Sequence, residues 1–176
     1  EETLDTLAVL PIVMVDVHIA QHRAEVCALC AVYEQVREST FVVLTDSGLG
    51  SAVLVGARGL ALTNAHVVGD SMNVTVGRYD GETFSARVVA FDLHEDFALL
   101  RIAELAPTTP VASLRATPPR VGSEVYAVGH PLGLGWTIAR GIVSGLPVIG
   151  GRAMVQTDTP ISPGNAGGPL VDAQGY

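Results

Sequence analysis

Three short stretches of this 176-residue chain carry side chains whose types and order could perform acid–base chemistry at a carbonyl. "LALTNAHVV" closes a strand-like run at His66, "HEDFALLRI" sets Asp96 directly before an apolar run, and "SPGNAGGPL", residues 162–170, follows about seventy residues later. An imidazole titrating near neutrality can take a proton and return it, and a carboxylate on its other nitrogen fixes the tautomer and stabilises the imidazolium. A loop of glycines such as Gly164, Gly167 and Gly168 lets backbone N–H groups converge on a point, where they can hold the oxyanion of a tetrahedral intermediate. Histidine, then aspartate, then a Gly-rich loop is one of the chain orders in which such a base and a nucleophile have been assembled. The nucleophile is missing, because the centre of the loop is Ala166.

Other chemistry-bearing residues carry less. His18, His22, Cys27 and Cys30 give H-x3-H and C-x2-C close together. On one straight helix, however, His22 lies about 40° round from His18, Cys30 about 120° and Cys27 about 180°, so the four cannot face one ion. The long loop that separates ligand pairs in zinc modules is also absent. The reading is therefore structural: no metal and no cofactor, with small buried thiols and helix-face histidines. Asp92 stands one turn from Asp96 as an alternative carboxylate, and His94 and His130 read as surface or loop histidines.

The elements that must position His66, Asp96 and the loop are mostly strands. From Thr40 the chain is a series of short β-branched runs cut by glycine, "FVVLT", "SAVLV", "LALT", "MNVTV", "FSARVVAF" and "FALLRI", which predicts an all-β barrel or sandwich. "APTTPVASLRATPPR", residues 106–120, holds four prolines and reads as a linker. Beyond it "EVYAVG", "WTIARGIVSG", "AMVQTD" and "GPLVD" are strand-like again. The expected organisation is an N-terminal extension over 1–38, a first β lobe over 39–105, the linker over 106–120 and a second β lobe over 121–176. Ile19, Val26, Cys30 and Tyr33 recur at helical spacing and predict an amphipathic helix from His18 to Arg37, while residues 12–17 fit strand and helix patterns equally.

Composition bounds the partners. Nearly half the chain is apolar, enough to bury a sizeable core, and arginine supplies all ten positive charges against a net charge of −8. That balance argues against nucleic acid and anionic lipid. The apolar run from Leu7 to Val15 is too short to span a bilayer, and acidic Glu1, Glu2 and Asp5 precede it where a signal peptide would be basic, which leaves the compartment open.

Taken together, "GLALTNAHVV", "DFALLRI", "VGHPLG", "GIVSG" and "QTDTPISPGNAGGPL" resemble the trypsin-like serine proteases of the HtrA/Deg type over residues 40–176. The resemblance implies a chymotrypsin-like double β-barrel with its active site between the lobes. It also implies that His66 is the general base, Asp96 the orienting acid and Ala166 the position where the family has serine. Gly164 and residue 166 match the two backbone donors of the oxyanion hole with Asn165 between them, and Asp158 matches the acidic residue of the preceding loop. Asp96 is preferred over Asp92 because it directly precedes "FALL", as in the family.

Two departures qualify that expectation. A methyl group cannot attack a carbonyl, so the chain as written is expected to be a serine endopeptidase in inactive form. The intact His66, Asp96, Gly164 and Gly167 favour a single engineered serine-to-alanine change; the alternative is a natural pseudoprotease that binds peptides or partners. Second, "GPLVD" and "AQGY" leave the second barrel short of the strands that would complete it and build the specificity pocket; either the sequence stops before them, or a partner chain or strand supplies the pairing. A polypeptide is the expected substrate.

Overall fold

The computed structural model describes residues 28–46, 48–130 and 136–176. The described residues open with helix α1 (Ala28–Glu38), which places the C-terminal part of the expected helix; His18 to Cys27 and the ambiguous residues 12–17 lie outside the described residues. Six strands follow, β1 (Thr40–Thr45), β2 (Gly48–Gly56), β3 (Leu60–Thr63), β4 (Asn73–Gly77), β5 (Thr83–Asp92) and β6 (Phe97–Ile102), with the single-turn helix α2 (Ala65–Val68) between β3 and β4. All neighbours are antiparallel, and they close in the order β1-β2-β3-β6-β5-β4. Closure removes the free edges that short strands would otherwise expose.

The barrel forms because these runs alternate. In β6 Ala98, Leu100 and Ile102 are buried while Leu99 and Arg101 are only partly covered, as the two-residue period of a strand requires. The inward set, Phe41, Val43, Ala52, Leu54, Val76, Ala98 and Leu100, fills the interior, and Phe84 meets Phe41 edge-on at 6.3 Å between ring centres. The run after Asp96 is thus half-buried, since one face of a barrel strand looks outward.

Residues 103–123 contain no helix or strand. They are tied to the barrel where Ala112 N–H donates to the Leu54 carbonyl at 2.8 Å. Beyond them β7 (Glu124–Gly129), β8 (Thr137–Gly145), β11 (Gln156–Thr157) and β12 (Leu170–Val171) make an open sheet in the order β11-β8-β7-β12, and β9 (Val148–Ile149) pairs with β10 (Arg152–Ala153) as a separate hairpin. The architecture is all-β with one closed six-stranded barrel, an open second sheet and an N-terminal helix.

Helix α1 brackets the two sheets. Val32 and Val36 pack on Tyr126, Val128 and Val171 of the second sheet, and Tyr33 donates its hydroxyl to the Trp136 carbonyl at 3.1 Å. On the barrel side Thr40 Oγ1 donates to the Val36 carbonyl at 2.8 Å, and the Arg37 guanidinium lies 4.6 Å from the centre of the Tyr79 ring. The inward stripe is therefore Leu29, Val32, Tyr33 and Val36. Cys30 lies off it: where a buried thiol was expected, the residue is exposed and disulfide-bonded, and the chain's other cysteine is Cys27. Among the described residues no helix is long and apolar enough to cross a membrane.

Leu100 is fully buried at the centre of the barrel. Replacing it by alanine deletes buried methyl groups and leaves a void in a closed wall, so Leu100→Ala should lower unfolding stability by about 2–5 kcal/mol in urea titration. An unchanged midpoint would place this residue outside the core.

Candidate active site

His66 reaches its position through an abrupt change of backbone. Strand β3 ends at Thr63, Asn64 keeps an extended conformation (φ −78°, ψ 148°), and the single turn α2 then begins at Ala65. Asn64 occupies the cap position without capping; its side-chain amide instead donates to the Asp96 carbonyl at 2.7 Å. Val67 and Val68 bury the inner side of α2 in the barrel and leave His66 on the outer side, its side chain 60% exposed.

Asp96 approaches from the turn between β5 and β6. Its Oδ2 lies 2.8 Å from His66 Nδ1, and its Oδ1 accepts the His66 backbone N–H at 3.0 Å, so one carboxylate grips both the ring and the main chain of the same residue. Its side chain is 37% exposed, and the grip comes from these bonds rather than from deep burial. Burial works to raise the Asp96 pKa. The His66 backbone bond, the imidazole bond and charge, and the Ala65 N–H outweigh it, holding the carboxyl below its ordinary value. An ionised Asp96 only accepts hydrogen bonds, so the Nδ1 facing it carries the proton and Nε2 is left as the basic nitrogen. Asp92 is not the partner: its Oδ1 accepts the N–H groups of His94 and Glu95 at 2.9 and 3.0 Å and caps the turn that aims Asp96.

The Gly-rich loop is stitched to the barrel through Ser51 of β2. Ser51 N–H donates to the Ala166 carbonyl at 2.7 Å and Ser51 Oγ to the Gly164 carbonyl at 2.7 Å, while the Ser51 carbonyl accepts Thr63 Oγ1 at 2.7 Å. Asn165 N–H donates to the Ser162 carbonyl and Gly168 N–H to the Asn165 carbonyl. The main-chain groups of Asn165 are thus spent within the loop, while its Oδ1 is buried without a partner against Gly129. Among the described residues the N–H groups of Gly164 and Ala166 have no hydrogen-bond partner. Gly164 has φ +103° and Gly167 φ +83°, a region open to glycine but strained for other residues. A Cβ on Gly167 would also lie 2.2 Å from the Ser51 carbonyl oxygen.

His66, Gly164 and Ala166 line one open cleft of about 230 Å³ together with Thr45, Gly48, Leu49, Val67 and Pro163. A larger cavity of about 410 Å³ opens between residues 112–119 and the β7–β12 edge, away from His66; its charged side chains, Arg115 and Asp172, pair with each other at 2.8 Å. The remaining sequence candidates fall outside the cleft. Asp158 Oδ1 accepts the Ile142 N–H at 2.7 Å and fastens the strand pair ahead of the loop. His94 bonds Glu95 at 2.9 Å on the surface, and His130 stacks edge-on against Trp136 with its Nδ1 buried and unpartnered. His18, His22 and Cys27 lie outside the described residues, and Cys30, held in a disulfide, offers no thiolate to a metal.

Sequence reasoning passed over Ser51, Thr63 and Asn64. Asn64 and Thr63 directly precede "AHVV", but Ser51 carries no local signal, because only the docking of the loop on the barrel gives it a role.

A histidine gripped by a carboxylate beside a glycine loop with unspent N–H groups, on a six-stranded barrel, defines a peptidase architecture. The chain belongs to the trypsin-like peptidase family, whose domain model matches residues 50–176. It is 40% identical over 134 residues to the serine endoprotease DegS of Escherichia coli K12, covering 72% of this chain and 37% of DegS. It is 39% identical over 134 residues to the periplasmic pH-dependent serine endoprotease DegQ of the same organism, covering 73% of this chain and 30% of DegQ. The chain therefore spans about a third of the length of these relatives. Among solved structures it resembles an inactive form of Rv3671c from M. tuberculosis H37Rv, a serine-to-alanine mutant, with TM-score 0.72 and 28% identity over 82% of this chain and 74% of that one.

Gly167→Ala tests the loop. The added methyl meets a backbone carbonyl and the residue would keep a positive φ, so the thermal midpoint should fall by several degrees, for a cost of at least about 1–3 kcal/mol. An unchanged midpoint would mean that the loop does not pack on Ser51 as described.

Proposed function

We propose that this chain is the peptidase domain of a serine endopeptidase whose nucleophile position, residue 166, holds alanine, so that the cleft binds a polypeptide and does not cleave it. The observation that carries the reading is the Asp96–His66 bond beside Ala166 and the two unspent N–H groups of the loop. With serine at 166, its Oγ attacks the peptide carbonyl carbon while His66 Nε2 takes the hydroxyl proton. The carbonyl oxygen becomes an oxyanion held by the N–H groups of Gly164 and residue 166. The imidazolium, stabilised by Asp96, gives its proton to the leaving amine, and water releases the acyl group by the same steps in reverse order. Asn165 sits between the two donors and shapes the loop without donating to the oxyanion. The serine-to-alanine change in the solved Rv3671c relative is in keeping with an alanine at this position.

A second reading has one observation of its own, Ala166 itself: a natural pseudoprotease that presents the cleft, or the open edge of the second sheet, to a peptide or to a strand of a partner or second copy. The natural codon at 166 separates the two, serine favouring the first and alanine the second.

Installing Ala166→Ser in the natural full-length chain and following hydrolysis of an unfolded protein tests the enzyme reading. Loss of the nucleophile from such an assembly costs about a million-fold in kcat, so a gain on that order is expected. Folded protein without turnover would overturn the proposal.

A further inference from the structure

The turn that carries Asp96 is restrained from three sides. Asp96 itself has φ +54°, a left-handed conformation uncommon outside glycine, though aspartate adopts it more readily than most residues. From the end of β5, Asp92 Oδ1 accepts the His94 and Glu95 N–H groups; from the approach to α2, the Asn64 amide donates to the Asp96 carbonyl. The third restraint comes from the other sheet region. Arg152 Nη1, on β10, donates to the His94 carbonyl across 58 residues of sequence. Arg152 is half-buried and makes no ion pair with Asp92, Glu95 or Asp96, so its hold on the turn acts through the main chain rather than by charge on the carboxylate.

We propose that Arg152 is a positioning residue for the proposed peptidase reaction: by fastening the 92–96 turn to the β9–β10 hairpin, it keeps the Asp96 carboxylate aimed at His66 Nδ1. The inference rests on the proposed role of Asp96, and it makes that role conditional on where the hairpin sits. The hairpin Val148–Ala153 has only two-residue strands and stands apart from the four-stranded sheet, so few bonds fix it elsewhere. Any ligand or contact that draws the hairpin off the turn would then release Asp96 from one of its three restraints without touching the cleft.

Two measurements on Arg152→Met and Arg152→Lys test this and keep its failure distinct from that of the peptidase reading. In the chain with Ala166, the His66 Nδ1 proton bonded to Asp96 should give an exchange-protected resonance, which Arg152→Met broadens or removes and Arg152→Lys, still a donor of similar reach, preserves. In the Ala166→Ser form, Arg152→Met should lower kcat about tenfold to a hundredfold at nearly unchanged KM, the scale of a small misalignment of catalytic groups, with partial rescue by lysine. An unaltered resonance in a folded Arg152→Met chain overturns the inference. So does a change confined to KM. A resonance that responds as expected while every Ala166→Ser form stays inactive supports the inference about the turn and overturns the peptidase reading. If Arg152→Met does not fold, Arg152→Gln, which shortens the donor, takes its place with the same outcomes.

Discussion

The docking of the Gly-rich loop on Ser51 is the contact on which the site depends. Ser51 is fully buried in β2 and uses its N–H, Oγ and carbonyl together: two of them hold the carbonyls of Ala166 and Gly164, and the third receives Thr63, two residues before the turn that presents His66. A buried N–H, hydroxyl or carbonyl left unpaired costs about 1–3 kcal/mol, so satisfying all three on one residue favours this arrangement, in which two of the bonds tie the loop to the barrel wall. Among the described residues the N–H groups at 164 and 166 of the docked loop have no hydrogen-bond partner.

The second constraint is the grip of Asp96 on His66. Its carboxylate is partly exposed, yet it accepts both the ring N–H and the backbone N–H of the same residue, so rotation of the imidazole breaks one bond while the other holds. Charge-assisted bonds of this kind are stronger than neutral ones and set the tautomer. The aim of the carboxylate is in turn set by the 92–96 turn, whose polar groups are satisfied from β5, from Asn64 and from β10. The orientation of His66 thus depends on residues well outside the cleft.

Much of this was legible in the sequence, for identifiable reasons. The strands of the barrel could be read because β-branched runs bounded by glycine alternate inward and outward, and β1 to β6 fall on the runs from "FVVLT" to "FALLRI". His66 and Asp96 stood out because each sits at the end of such a run, where a barrel exposes side chains at its rim. Ser51 did not, since a serine in "GSAVLV" looks like any strand residue until a loop more than a hundred residues later docks on it. The inward face of α1 was misjudged at Cys30 because Leu29, Val32, Tyr33 and Val36 form a better stripe one position round the wheel, and packing on Tyr126 and Val128 selects it. The 92–96 turn was invisible because its restraints are side chain to main chain and come from three separate segments.

The most direct test of the account is the chemical identity of position 166. With Ala166→Ser installed, a serine-directed phosphonate should label the folded protein stoichiometrically, peptide mapping should place the adduct on residue 166, and a further His66→Ala change should abolish it. Labelling that is absent, that maps to another residue such as Ser51 or Ser162, or that survives loss of His66 would contradict the account.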